Sequence, residues 1–126
     1  MKLISVFLVL LLMQTLTLQA AEPDVDCKKD SGSYVTGYCT AKEYEAADAK
    51  LNAAYKQLQS LLDLQNKSKL KHIQMEWIKY RDATCDFETE PTTGKTGMST
   101  FTNECLTRIT QNRIADLEAA IGFWSP

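Results

Sequence analysis

The protein has 126 residues, of which 44% are hydrophobic, with four cysteines and one histidine. Its 14 basic and 16 acidic residues give a net charge of −2 at pH 7. This length predicts a single domain, and the slight acidity argues against nucleic acid or an anionic membrane surface as a partner, since both bind clustered Lys and Arg.

The first 20 residues have the layout of a secretory signal peptide. Lys2 supplies a positive charge, residues 3–13 are apolar except for Ser5, and Ala20-Ala21 offers small residues for cleavage. The apolar run is about half as long as the roughly 20 residues that a membrane-spanning helix needs, so no membrane anchor is expected. We predict cleavage after Ala20 or Ala21 and export of the mature chain. Loss of Lys2 would leave 13 basic and 16 acidic residues, a net charge of −3.

The next segment, residues 21–38, is polar and contains proline and glycine, which predicts an irregular chain. The folded domain is predicted to span 39–122. The stretch Thr40-Ala-Lys-Glu43 has the form of a capping box at a helix start. Apolar residues then recur at helical spacing, which predicts a first helix over 40–64.

A second apolar stripe predicts a helix over 68–87. One continuous helix over 40–87 would be about 70 Å long at a rise of 1.5 Å per residue, and a domain of this size could not cover it. We therefore predict an αα-hairpin in which Asn66 caps the second helix.

Proline and glycine residues between 88 and 101 predict a loop. A third helix is predicted from about Thr102 to Ala120, with Gly122 as its terminator. The predicted fold is all-α, a small antiparallel three-helix bundle made of the αα-hairpin and the third helix and stapled by two disulfides.

An even number of cysteines in a short exported chain predicts disulfides. The alternative, a metal site, is not predicted, because the cysteine spacings of 12, 46 and 20 contain no C-x-x-C pair and the one histidine, His72, lies mid-helix. Cys39, Cys85 and Cys105 fall at one end of an up-down-up bundle, and Cys27 can reach that end. The pairing Cys27–Cys39 with Cys85–Cys105 closes two short loops and is preferred. Pairing Cys39 with Cys85 and Cys27 with Cys105 stays open.

No catalytic site and no cofactor are predicted. His72 lies beside Lys71 and is interpreted as a solvated surface residue rather than a general base. The stretch Gly94-Lys95-Thr96 matches only the end of a phosphate-binding Walker motif, without the preceding glycine and strand. Cysteines held in disulfides are not available as nucleophiles.

Three sequence patterns on the predicted helices resemble one known family. Residues 47–58 read A-D-x-x-L-N-x-x-Y-x-x-L, residues 70–85 read L-x(3)-Q-x-x-W-I-x-Y-R-D-A-x-C, and residues 105–117 read C-L-T-x-x-T-x-x-R-x(3)-L. Together they resemble the LprI-like lysozyme inhibitor N-terminal domain family of exported bacterial helical domains. The chain departs from the family pattern where Gly94-Lys95-Thr96-Gly97 replaces a Gly-Gly-Ser/Thr element, and at Tyr34–Tyr38 before the second cysteine.

The polar residues of these patterns predict a cluster inside the bundle. A rise of 1.5 Å per residue from the cysteine end lets Asp48 face Arg81, and puts Asn52, Trp77 and Arg113 at one deeper level. We predict that Asp48 pairs with Arg81, that Asn52 hydrogen-bonds nearby, and that Trp77 packs beside Arg113 in a cation–π contact. Such a cluster would set the helix register. The alternative is an exposed binding site formed by Arg81 and Asp82.

The 88–101 loop is the candidate for a partner contact, because it is tethered between two cysteines and so loses little entropy on docking. Lys95, near its apex, could meet the carboxylates of a glycosidase cleft. The alternative is an ordinary surface connector. The candidate contact residues are Thr93, Lys95, Thr96 and Ser99.

The resemblance implies a non-enzymatic binding protein that inhibits a lysozyme-type muramidase in the periplasm. A protein partner is therefore expected, and the protein itself is expected to be a monomer. One alternative is an immunity protein that neutralises a toxin delivered into the periplasm. Another is a structural or envelope-stress component with no enzyme target.

Overall fold

A computed structural model describes residues 23–126, so the predicted signal peptide lies outside the described residues. Three α-helices make up the fold: α1 (Ser33–Leu61), α2 (Leu64–Thr89) and α3 (Met98–Trp124). A short 3₁₀ turn, Glu90–Thr92, follows α2, and the described part of the chain contains no β-strand. The predicted all-α bundle of an αα-hairpin plus a third helix is confirmed.

The first helix begins two turns earlier than predicted. Gly32, with φ of 117°, precedes α1, and the prediction of an irregular chain over 21–38 is wrong from Ser33 onward. Thr40 therefore lies inside the helix and caps nothing; its hydroxyl donates to the carbonyls of Thr36 and Gly37, at 3.0 and 3.1 Å. The extra turns pack against α3. A Cβ built on Gly37 would lie 3.7 Å from the hydroxyl oxygens of both Ser99 and Thr100, which is van der Waals distance.

The hairpin turn consists of Leu62 and Asp63. Asp63, not Asn66, is the N-cap of α2, and its carboxylate accepts a hydrogen bond from the Asn66 amide at 2.8 Å. Asn66 instead donates through its side chain to the same carboxylate, at 3.2 Å. Either residue type can cap a helix, and here α2 starts one turn earlier than predicted because the chain already turns at Leu62.

The predicted 88–101 loop is much shorter in the structure. Helix α2 continues to Thr89, the 3₁₀ turn follows, and α3 begins at Met98 rather than Thr102. The segment between the 3₁₀ turn and α3, residues 93–97, is called the apical loop below. At the other end α3 passes through Gly122, which lies on an open face and does not terminate the helix.

Two disulfides close the cysteine end of the bundle, in the preferred pairing. Cys27–Cys39 ties the N-terminal segment to α1, with a Cα–Cα distance of 5.8 Å. Cys85–Cys105 ties the end of α2 to the second turn of α3, with a Cα–Cα distance of 5.6 Å.

The core has two parts with different composition. At the hairpin end a leucine-rich cluster draws on all three helices: Leu51, Ala54, Leu58, Leu62, Leu70 and Leu117. At the cysteine end the cluster consists only of Cys85, Cys105 and Ile109. The half-buried ring of Trp77 packs against both clusters and so joins them.

The helices approach one another unequally. Helix α1 lies along α3 over much of its length, whereas the backbones of α1 and α2 come close at almost no point. Long side chains of α2 must therefore bridge to α1. Within residues 23–126, no helix has the length and apolar character required to cross a membrane.

Candidate functional site

Two arginines lie close to the ring of Trp77. The guanidinium carbon of Arg81 is 5.2 Å from the ring centroid and that of Arg113 is 5.9 Å away. Both distances permit cation–π attraction. Arg81 also lies 5.7 Å from the ring of Tyr44 on α1. Trp77 and its two arginines therefore connect α2 to both of the other helices.

Arg81 is almost fully buried and is compensated by carboxylates. Its side chain is 11% exposed, and two of its nitrogens lie 2.8 Å from the same oxygen of Asp82. A third nitrogen lies 4.0 Å from a carboxylate oxygen of Asp48. Asp48 in turn accepts a hydrogen bond from Asn52 at 3.0 Å. Because both carboxylates are about half exposed, they keep part of their hydration while they balance the buried charge.

The hydroxyl of Tyr44 belongs to the same region. Burial raises the pKa of Tyr44, and the nearby positive charge of Arg81 partly opposes that rise. The phenol is therefore neutral at physiological pH and serves as an aromatic surface for Arg81.

Arg113, the second arginine near Trp77, has different surroundings. Its Nε donates to Gln74 at 3.1 Å, and no carboxylate among the described residues lies within ion-pair distance of it. Burial lowers the pKa of Arg113, with Asp116 acting in the opposite direction. The structure thus brings together the residues predicted to form the polar cluster, but one of the two arginines has no acidic partner.

Two grooves flank these arginines. The first, of about 300 Å³, lies between α1 and α2 and is lined by polar pattern residues, among them Asp48, Asn52 and Arg81. The second, of about 290 Å³, lies between α2 and α3 at the hairpin end and is mostly apolar, with Arg113 in its lining.

The apical loop is a hydrogen-bonded turn rather than a long connector. The Thr93 amide donates to the Glu90 carbonyl at 3.0 Å, and the Lys95 amide donates to the Thr92 carbonyl at 2.9 Å. Gly94 has φ of 75° and Gly97 has φ of 88°, backbone conformations that glycine adopts without strain. The Lys95 side chain is exposed at the tip of this turn.

The base of the apical loop is anchored by covalent and polar contacts. The Cys85–Cys105 disulfide joins the two helices that flank it, and Glu88 forms an ion pair with Arg108 across them. The buried hydroxyl of Thr89 donates to the Cys85 carbonyl at 2.7 Å. These contacts fix the position from which the loop projects.

Three of the four predicted loop residues lie in the turn, and one does not. Thr93, Lys95 and Thr96 are exposed in the apical loop. Ser99 belongs to the first turn of α3, and its Oγ lies 3.7 Å from where a Cβ at Gly37 would be. Ser99 therefore lies where α1 and α3 approach each other and is not part of the apical loop.

Two exposed aromatic residues beside the loop were not identified from the sequence. Phe87 is 76% exposed at the end of α2, and Phe101 is 49% exposed in the first turn of α3. A large apolar side chain away from the apolar stripe of a helix is the signal that could have revealed them. Phe101 lies against the base of the apical loop, because its ring is 3.9 Å from where a Cβ at Gly97 would be.

The described residues include few groups suited to catalysis or metal binding. No group of three or more His, Cys, Asp or Glu side chains in residues 23–126 could hold a metal ion. All four cysteines are in disulfides, and His72 is exposed.

Comparison with known proteins places the chain in a family. The family model described as "Lysozyme inhibitor LprI" matches residues 27–117, well over half of the chain. An uncharacterized protein of Rhizobium meliloti (strain 1021) is 29% identical over 122 residues, covering 86% of this chain and 88% of that protein. No solved structure matches significantly. The match spans α1, α2 and most of α3 together with all four cysteines, and the chain therefore belongs to the lysozyme inhibitor LprI family.

Proposed function

We propose that the protein is an exported inhibitor of a lysozyme-type muramidase, cleaved after Ala20 or Ala21 and active in the periplasm. The observation on which this proposal rests is the match to the lysozyme inhibitor LprI family over residues 27–117. Membership of an inhibitor family implies a protein partner and a non-enzymatic role.

The apical loop is the proposed inhibitory element. Its backbone hydrogen bonds and the disulfide at its base support this assignment, because a preordered loop loses less conformational entropy on docking. Lys95 at its tip is exposed and belongs to no ion pair among the described residues. Glycosidases of this kind have a pair of carboxylates flanking the scissile bond. The Lys95 ammonium group would meet that negative charge.

Phe87 and Phe101 would supply the apolar part of the interface. Aromatic side chains are enriched among the residues that dominate binding energy. Both rings are exposed, Phe87 near the end of α2 and Phe101 in the first turn of α3, and Phe101 lies beside Gly97 of the loop. Thr93 and Thr96 would contribute hydrogen bonds from the turn itself.

The polar cluster around Trp77 has a structural role in this proposal. Arg81 is buried, with its charge satisfied inside the protein, and so offers little to a partner. It bridges the wide gap between α1 and α2 and thereby fixes their register.

The direct test uses the oxidised protein purified from the periplasm. Titrated against a lysozyme-type muramidase that lyses peptidoglycan suspensions, it should abolish lysis at a stoichiometric ratio. The same protein, reduced and alkylated, is the control and should inhibit less, because the loop loses its anchor. Full muramidase activity at a large excess of oxidised protein would contradict the proposal.

A further inference from the structure

The groove between α2 and α3 at the hairpin end combines an apolar wall with a cation. It measures about 290 Å³, close to the lower end for small-molecule sites. Its apolar lining comes from all three helices and from the hairpin turn: Leu58, Leu62, Leu70, Leu117, Ala120 and Trp124.

The α3 side of the groove runs from Arg113 to Trp124. Arg113 contacts Gln74 and the ring of Trp77. Trp124 lies eleven residues further along α3, about 16 Å away at 1.5 Å per residue. Between them, α3 contributes Asp116, Leu117 and Ala120 to the lining.

The charge of Arg113 is the unusual feature of this groove. Arg81 has carboxylates of Asp48 and Asp82 within ion-pair distance, whereas Arg113 has the side-chain oxygen of Gln74 and the Trp77 ring. Lys69 adds a second cation to the lining, and Asp116 adds one carboxylate that acts on the Arg113 charge from beyond ion-pair distance, so the charged lining residues sum to one net positive charge. A half-buried guanidinium with no carboxylate within ion-pair distance is complementary to a carboxylate, which it can bind through two parallel hydrogen bonds.

We propose that this groove binds a single-chain amphiphile with a carboxylate head, of the fatty-acid class. The carboxylate pairs with the terminal nitrogens of Arg113, and the hydrocarbon chain lies along the leucines toward Trp124. This site is separate from the apical loop and does not depend on muramidase inhibition.

Calorimetric titration of the oxidised protein with sodium dodecanoate, below its micellar concentration, tests the proposal. Saturable one-site binding is expected, with affinity rising about fourfold for each methylene buried between octanoate and dodecanoate. Arg113→Gln should weaken dodecanoate binding at least tenfold. Arg108→Gln is the matched control, an arginine on the same helix at the cysteine end, and should bind normally. Dodecyltrimethylammonium, with the opposite head charge, should bind much more weakly.

A second pair of variants tests the chain-binding part without touching Arg113. Ile73 lines this groove and is 53% exposed, while Ile78 lies on the same helix, is 39% exposed and lines the other groove. Ile73→Glu should abolish dodecanoate binding and Ile78→Glu should leave it unchanged, with both proteins folded by circular dichroism. The proposal is overturned by absent saturable binding, by equal binding of the cationic amphiphile, or by normal binding to Arg113→Gln or Ile73→Glu.

Discussion

The two ends of the bundle are stabilised in different ways. At the hairpin end, leucines from three helices form a continuous apolar cluster, and no covalent crosslink is present among the described residues there. At the cysteine end the buried apolar cluster is small; the Cys85–Cys105 disulfide joins α2 to α3, and the Cys27–Cys39 disulfide ties the N-terminal segment to α1. A projecting loop leaves little room for a large apolar core, and crosslinks compensate by restricting the unfolded chain. Trp77 lies where the two kinds of packing meet.

Replacing Trp77 is expected to have the largest effect, because its ring contacts both core clusters and both arginines. Trp77→Ala should reduce the free energy of unfolding by roughly 3–5 kcal/mol. Urea unfolding measured by circular dichroism checks this value. A loss below about 1 kcal/mol would show that the stability of the two core clusters does not depend on the Trp77 ring.

Removing the Cys85–Cys105 disulfide should affect the cysteine end first. Cys85→Ala combined with Cys105→Ala should cost roughly 3 kcal/mol, the amount expected for a loop of this size. Hydrogen exchange should accelerate in the last turns of α2 while amides near Leu58 and Leu117 stay protected.

The matched control is the other disulfide, Cys27–Cys39, which closes a shorter loop and has one exposed cysteine. Its double alanine variant should lose less stability. If the variant without Cys85–Cys105 exchanged its amide hydrogens equally faster at the cysteine end and at the hairpin end, the two ends would unfold together and the proposed difference between them would be wrong.

The two arginines beside Trp77 should differ in their contribution to stability. Arg81→Gln removes hydrogen bonds to a charged group from a buried site and should cost roughly 1.5–3 kcal/mol. Arg113→Gln loses the hydrogen bond to Gln74 and the contact with the Trp77 ring, and it removes a half-buried charge that has no carboxylate within ion-pair distance, so its cost should stay below about 1 kcal/mol. Paired urea melts provide the comparison, and equal losses would contradict the difference in pairing.

The sequence predicted the features that depend on helical period. The apolar stripes predicted three helices, and the rise per residue placed Asp48 level with Arg81. The contact between Asp48 and Arg81 follows from their positions along α1 and α2, once the two helices are taken to form an αα-hairpin. The topology brings the cysteines to one end but is compatible with both pairings; the preferred pairing, which closes two short loops, is the one in the structure.

The remaining features depend on tertiary contacts that the sequence does not reveal. The early start of α1 has no capping signal and rests on the approach of Gly37 to α3. Helix α2 ends two residues beyond its predicted end, at Thr89, which is buried beside the Cys85–Cys105 disulfide end of the bundle. The lack of an acidic partner for Arg113 was not predictable either, because it depends on which side chains of the other helices lie nearby.

The smallest expected change in stability gives the most direct test of function. Lys95→Ala should alter the free energy of unfolding by less than about 0.5 kcal/mol, as is usual for an exposed side chain. If the apical loop is the inhibitory element, the same change should weaken muramidase binding by more than about 1 kcal/mol, roughly fivefold.

The measurement is a binding titration of Lys95→Ala beside Lys50→Ala, which removes an exposed lysine from α1, away from the loop. A melt of each variant confirms that both are folded. If the apical loop is the inhibitory element, Lys95→Ala should bind more weakly and Lys50→Ala should bind normally. Normal binding by Lys95→Ala, together with lost binding by a folded Lys50→Ala or Asp82→Ala variant, would place the binding surface on the helices and show that the apical loop is not the inhibitory element.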